Sequence, residues 1–244
     1  MSRCCYGAVI NGAFTQTSGT TTLTSGSSSG DCQVMGLNAT GTVSVSGGTF
    51  SATSGSSASG PAYGAYVSNK TTLSGGTVSF KSGVGKTASY GINTASFTHE
   101  GANTSISSGA CTAGPCYGIC VQSAPNLYKG TLNITSGDSA GGLCCGMCVS
   151  NMASSGAAYY DFQIKSGYNI VMNIDSGNST ASSGGACYGL YAANAYIHGG
   201  TVSINCGTST SSTIYGTYLT GSFTCDNSAA TVTLSSEDAT AASC

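Results

Sequence analysis

Residues 76–83 read GTVSFKSG. Thr77 and Ser79 are polar, while Val78 and Phe80 are apolar. That period of two marks a β-strand with one buried face. The closing Ser-Gly pair has turn chemistry. The same octet stands at 19–26 as GTTTLTSG and at 48–55 as GTFSATSG, and further copies end at Gly109, Gly137, Gly177, Gly207 and Glu237. One strand pattern returning eight times defines a repeat architecture before any single residue is weighed.

A second mark precedes each octet. It is an aromatic or apolar residue followed by glycine: Tyr6-Gly7, Met35-Gly36, Tyr63-Gly64, Tyr90-Gly91, Tyr117-Gly118, Cys145-Gly146, Tyr188-Gly189 and Tyr215-Gly216. These anchors recur about every 28 residues, with one longer step caused by an insertion in the sixth repeat. With the anchor as position zero, positions +2 and +4 are mostly apolar (Ile119 and Val121, Met147 and Val149), whereas +3 is mixed. A second strand is therefore expected there, with +2 and +4 facing inward. The stretch between the two strands, such as residues 70–75 or 195–199, is long enough for a short third strand. The glycine at +1 implies either a corner with φ > 0 or a place where backbones pack closely.

No segment has the period of a helix. A 28-residue repeat with Gly/Ser turns cannot bury its apolar face alone, but stacked repeats share one continuous core. The expected fold is all-β: a single-domain parallel β-helix over residues 1–244, about eight coils of about 28 residues, without helical caps. The insertion, placed at about 153–168, contains Tyr159, Tyr160 and Phe162 and is expected to project as a loop or extra hairpin that offers a lateral contact. The anchor and octet pattern resembles the right-handed parallel β-helix proteins of the pectin-lyase-like architecture, a likeness of repeat style over essentially the whole chain.

Composition excludes several function classes. Of 244 residues only 6% are charged, 6 basic against 8 acidic, which leaves no basic footprint for nucleic acid. No run of 18 apolar residues spans a membrane. The opening MSRCCYG enters the first repeat at once, and no stretch resembles a signal peptide. The carboxylates Asp31, Glu100, Asp138, Asp161, Asp175, Asp226, Glu237 and Asp238 share no column in neighbouring coils, so no paired-acid site forms. His99 and His198 lie in different coils and read as surface or corner residues. The chain is not expected to be an enzyme, and no cofactor or metal is called for.

Thirteen cysteines carry the specific signal. Cys145-x-x-Cys148 has metal spacing, yet repeat register accounts for it better. Position −1 holds Cys5, Cys116, Cys144 and Cys187, and position +3 holds Cys120 and Cys148. Neighbouring coils place such pairs about 4.8 Å apart, within reach of a disulfide. Cys120 is expected to bond Cys148, and Cys144 to bond Cys116 or Cys187, unless these positions stay as buried thiols. Disulfides imply an oxidising place such as a cell or spore surface. Cys244 falls in the −1 column of a ninth coil, where it would meet Cys4 or Cys5 of another copy.

Neither end reads as a cap, and uncapped solenoid ends invite stacking. The expected function is therefore a self-assembling fibre subunit: a head-to-tail homopolymer, cross-linked by disulfides, with no nucleic-acid partner. In composition the chain is similar to cysteine-rich proteins of bacterial spore surfaces and appendages. Two other readings compete. One is ice binding through an outward ladder of Thr20, Thr49, Thr77, Thr131, Thr201 and Thr231, interrupted by Asn103 and Val171. The other is carbohydrate binding through tyrosines at +3, such as Tyr66, Tyr191 and Tyr218.

Overall fold

The structure, a computed structural model, describes residues 4–151 and 158–237. Among these there is no helix, and the strands stack as a parallel β-solenoid of eight coils. Each coil contributes an anchor strand, a middle strand and an octet strand. In coil five these are Cys116–Val121, Asn126–Leu127 and Gly130–Thr135. In coils three and four the anchor and middle strands run together, as Ala62–Leu73 and Ser89–His99. Anchor and middle strands form one 15-stranded sheet and the octets an eight-stranded one.

Register follows the repeat. Val78 pairs with Phe50 below and Thr104 above, and Tyr90 lies between Tyr63 and Tyr117. The one antiparallel pairing among the described strands joins Ser150 and Asn151 to Tyr159 and Ala158, in the sixth-coil insertion.

The main core fills the space between the sheets. Positions +2 and +4 supply Leu37, Ile92, Ile119, Met147 and Leu190, with Val67, Val121 and Val149. The octets supply Phe50, Phe80, Ile134 and Ile174, all almost wholly buried. Phe14, Phe50 and Phe80 pack ring on ring, with centroids 5.2 and 5.6 Å apart. Each such ring removes apolar area from water that the unfolded chain exposes, worth about 2–3 kcal/mol per residue.

Two kinds of glycine shape the coil, and the structure separates them. The octet's first glycine holds the positive φ: 75° at Gly48, 80° at Gly76 and 75° at Gly200. The anchor glycine has no positive φ. It points inward where the anchor strand crosses its own octet. A Cβ on Gly64 would lie 2.4 Å from Gly91 O and 2.6 Å from Lys81 N. Of the two roles open for the +1 glycine, close approach is the one realised. This pinch divides the interior into the main core and a narrow second channel at the following turn.

Serines line that channel. The octet's seventh residue turns inward, and its hydroxyl accepts from the glycine N–H one coil up: Gly83 N to Ser54 Oγ at 3.2 Å, Gly109 N to Ser82 at 3.0 Å, Gly177 N to Ser136 at 3.0 Å. Three residues on, a second serine column (Ser57, Ser139, Ser179, Ser209) donates to carbonyls across the turn at 2.6–2.8 Å. The turns thus satisfy buried backbone groups that no strand ladder reaches.

His99 corrects its sequence reading, for it is fully buried rather than at the surface. It ends a middle strand in the inward column shared with Leu73 and Leu127. Its Nδ1 lies 3.0 Å from Lys129 O, so that nitrogen carries the proton and donates. Nε2, 3.1 Å from Thr104 Oγ1, therefore accepts. The ring is neutral, and burial pushes its pKa down to about 4 from 6.5. In the unfolded chain His99 binds a proton at higher pH than in the fold, so stability is lost as pH falls from about 6.5 through 4. The loss is about 3 kcal/mol. Unfolding free energies from urea titration at pH 7 and pH 4 are expected to differ by about 3 kcal/mol less in His99→Leu than in the parent. Equal pH dependence in the two proteins contradicts the assignment.

Candidate functional site

Five buried cysteines occupy the second channel over coils four to seven. Cys116, Cys144 and Cys187 stand at position −1 of three successive coils and are register partners, with Ile214 above them. Each thiol donates to a carbonyl of the turn beside it: Cys116 to Asp138 O at 3.1 Å, Cys144 to Asn178 O at 3.0 Å, Cys187 to Thr208 O at 3.0 Å. The other two replace channel serines. Cys111 sits in the turn column between Gly85 and Ser139 and donates to Lys86 O at 3.1 Å, much as Ser139 donates to Gly114 O. Cys206 takes the octet's seventh place and accepts from Ser176 Oγ at 3.2 Å. All five are at most 2% exposed and pack in one cluster with Ile214.

The thiols meet in a fixed order. Cys116, Cys144 and Cys187 stack coil on coil in register, and in the same packed cluster Cys111 lies beside Cys116 and Cys206 beside Cys187. The Cys116 thiol, engaged with Cys111 and buried, is pushed far up, and its partner Cys111 is drawn down. The sequence expectation joined Cys144 to Cys116 or Cys187, and register places it between them. Cys111 and Cys206 were missed. Their signal lay in the serine columns: Cys206 stands between Ser176 and Ser236, and Cys111 stands one coil below Ser139 in the column that also holds Ser179 and Ser209.

A second group lies on the outer face of the anchor strands. Cys120 and Cys148 are register partners, and both face Cys145, which interrupts the anchor tyrosines. Cys120 and Cys148 contact each other as thiols; that contact and burial push Cys120 well up, while Cys148, which the same contact draws down, is pushed well up by Cys145 and by burial. Tyrosines stack on either side of them: Tyr63 on Tyr90 at 4.8 Å and 4°, Tyr90 on Tyr117 at 5.0 Å, Tyr188 on Tyr215 at 5.7 Å. Stacking covers the ring faces and turns edges outward. Burial lifts the Tyr63 hydroxyl to about 12 and those of Tyr90 and Tyr117 further. The tyrosines at +3 pack against these anchors: Tyr66 meets Tyr63 and Tyr218 meets Tyr215 edge-on at 5.7 and 5.1 Å, and Tyr191 stacks on Tyr188 at 5.0 Å.

The octet face carries the threonine column in register. Thr20, Thr49 and Thr77 are exposed, Asn103 follows, Thr131 is half-buried, Val171 interrupts, and Thr201 and Thr231 are exposed again. The longest unbroken threonine run is three coils. Beside it Asn173 Nδ2 donates to Asn133 Oδ1 at 2.8 Å, so the middle of this face satisfies its own polar groups.

The aromatic insertion is placed differently from its sequence reading. Phe162 is not an exposed contact residue: it begins the middle strand Phe162–Ile164, pairs with Ala195 and is fully buried. Tyr160 packs against the main core, and Tyr191 Oη donates to Tyr159 Oη at 2.9 Å. Rings at these positions gain more from covering coils six and seven than from projecting. Part of the insertion lies outside the described residues.

The N-terminal cysteines divide. Cys4 is bonded to Cys32, with Cα atoms 5.0 Å apart, so it is not an available thiol for another subunit. Cys5 Sγ donates to Ser27 O at 3.5 Å. Cys225 is an exposed thiol in coil eight that sequence reasoning did not single out. Cys244 lies outside the described residues.

Among the described residues, the strands Cys5–Ile10, Phe14–Gln16 and Thr20–Thr24 pair only with coil two, and Ile214–Leu219, Phe223–Thr224 and Ala230–Ser236 only with coil seven. Side chains in inner-core columns are uncovered there, with Phe223 42% and Leu234 47% exposed. Among the described residues no three or more His, Cys, Asp or Glu side chains converge as a metal site, and no helix is long and apolar enough to cross a membrane. Comparison of the chain with protein-family models, with curated proteins and with solved structures finds no match.

Proposed function

We propose that this β-solenoid is a structural fibre subunit, stacking end to end on a cell or spore surface and later cross-linked by disulfides. The stacked coils and the Cys4–Cys32 bond fit a structural role. The observation that carries the assembly is the match of the two open ends. Continuing the register by one coil sets Tyr215 on Tyr6, Leu219 on Ile10, Phe223 on Phe14 and Leu234 on Leu23. These four columns meet apolar on apolar, while Thr217 would face Ala8 and Val232 would face Thr21, and the unpaired strand edges would find partners. The contact is heterologous and does not close, so it yields a filament.

The reading takes the coil as right-handed, in the pectin-lyase-like manner, and non-enzymatic. A net charge of −2 leaves little repulsion to oppose association. Cys120–Cys148 would staple coils five and six. Cys244 would lie near the next subunit's Cys4 and Cys5. Its thiolate can attack the Cys4–Cys32 bond, forming Cys244–Cys4 and releasing the Cys32 thiol, an exchange that needs no external oxidant.

Paired charges at one end test this. Ile10→Lys with Leu23→Lys places two ammonium groups against the apolar end of the next subunit, where they cannot be solvated. The parent is expected to sediment as polymer and the double variant as a folded monomer by circular dichroism. A parent that stays monomeric, or a variant that polymerises equally, overturns the reading.

A further inference from the structure

The channel thiols follow one another as a row, Cys111, Cys116, Cys144, Cys187, Cys206: the middle three are register partners in successive coils, and Cys111 and Cys206 pack into the same cluster beside Cys116 and Cys187. The three at position −1 rise one coil at a time. Their Cα spacing of about 4.8 Å lies inside the range of about 4.4–6.8 Å that a disulfide spans. Cys4 and Cys32, 28 residues apart in sequence, show the same kind of neighbouring-coil bond in this chain.

We propose that this row holds two disulfides and one thiol, and that the thiol moves along the row by internal exchange while the fold stays fixed. The number of members decides the pattern. Five cysteines joined only to neighbours allow three two-disulfide pairings: Cys111–Cys116 with Cys144–Cys187, Cys111–Cys116 with Cys187–Cys206, and Cys116–Cys144 with Cys187–Cys206. Cys116 and Cys187 are bonded in all three. The odd thiol falls on Cys206, Cys144 or Cys111 respectively.

Single exchanges connect the three. With Cys206 as thiolate, its sulfur attacks Cys187. The Cys187–Cys206 bond forms, the Cys144–Cys187 bond breaks, and Cys144 leaves as thiolate. Cys144 then attacks Cys116, and Cys111 leaves. No electron is gained or lost in either step, and the proton passes from the attacking thiol to the leaving one. Loading the row is the only oxidation. Four thiols give four electrons and four protons to two molecules of a small disulfide such as oxidised glutathione, which leave as four thiols. Its contact with Cys116 draws the Cys111 thiol down, which favours thiolate at that end of the row.

The row is independent of end-to-end stacking, so the two readings stand or fall apart. The test uses the intact purified protein, equilibrated with oxidised and reduced glutathione, quenched in acid, alkylated with N-ethylmaleimide after denaturation and mapped by mass spectrometry. In molecules with two row disulfides, the label is expected on Cys111, Cys144 and Cys206 and absent from Cys116 and Cys187. Label on Cys116 or Cys187, a bond between non-neighbours such as Cys111–Cys206, or no row disulfide at all overturns the proposal. Cys111→Ser leaves an even row of four, and two-disulfide molecules are then expected to hold Cys116–Cys144 and Cys187–Cys206 alone, with no labelled row thiol. A labelled row thiol in two-disulfide molecules of that variant also overturns it.

Discussion

Gly64→Ala is expected to leave no soluble folded protein, although it adds one methyl group. The new Cβ would stand 2.4 Å from Gly91 O and 2.6 Å from Lys81 N, both backbone atoms held in ladders. Neither can retreat without opening the coil above or the octet of the same coil. The cost is at least about 4 kcal/mol, the range reserved for a clash that packing cannot relieve. Gly12→Ala is the matched control, since a Cβ there meets nothing within 4 Å and φ is not positive. Its urea midpoint is expected to stay close to the parent's. A folded, equally stable Gly64→Ala protein contradicts the pinch between anchor and octet.

Phe162→Ala is expected to cost about 3–5 kcal/mol, as a ring removed from a closed core does. Its neighbours in the middle-strand columns, Ala195 above and Leu127 and Ile197 beside it, are at most 2% exposed and cannot collapse far into the void. Tyr159→Ala, whose ring is half-exposed, is expected to lose far less. Denaturant midpoints of the two variants separate the placements. Were Phe162 a lateral contact, its removal would leave the midpoint unchanged and alter only association.

The coil was legible because two strands in each repeat keep strict spacing. Octets and anchors announced a parallel stack, and inward positions such as Ile119 and Phe80 followed from period two. The middle strand was harder. Its first inward residue lies eight positions after the anchor at Phe14 and Thr71 but seven at Phe97 and Ala195, so parity slips between coils. That slip concealed the buried places of His99 and Phe162. Cysteine register at −1 and +3 was visible for the same reason as the strands. Cys111 and Cys206 escaped because they belong to turn columns defined by serine hydrogen bonds, which no hydrophobic period reveals. Cys32 escaped as well, since its partner Cys4 precedes the first anchor strand.

The proposed assembly makes one geometric demand. If subunits continue the solenoid across their joints, the axial rise per subunit equals eight coils at about 4.8 Å, or about 38 Å. Helical reconstruction from electron micrographs of the assembled protein measures that rise directly. A rise near 38 Å, with an unbroken 4.8 Å repeat along the axis, is the expected result. Filaments with a different rise, or strands running across the filament axis joint without that repeat, contradict end-to-end continuation of the coil.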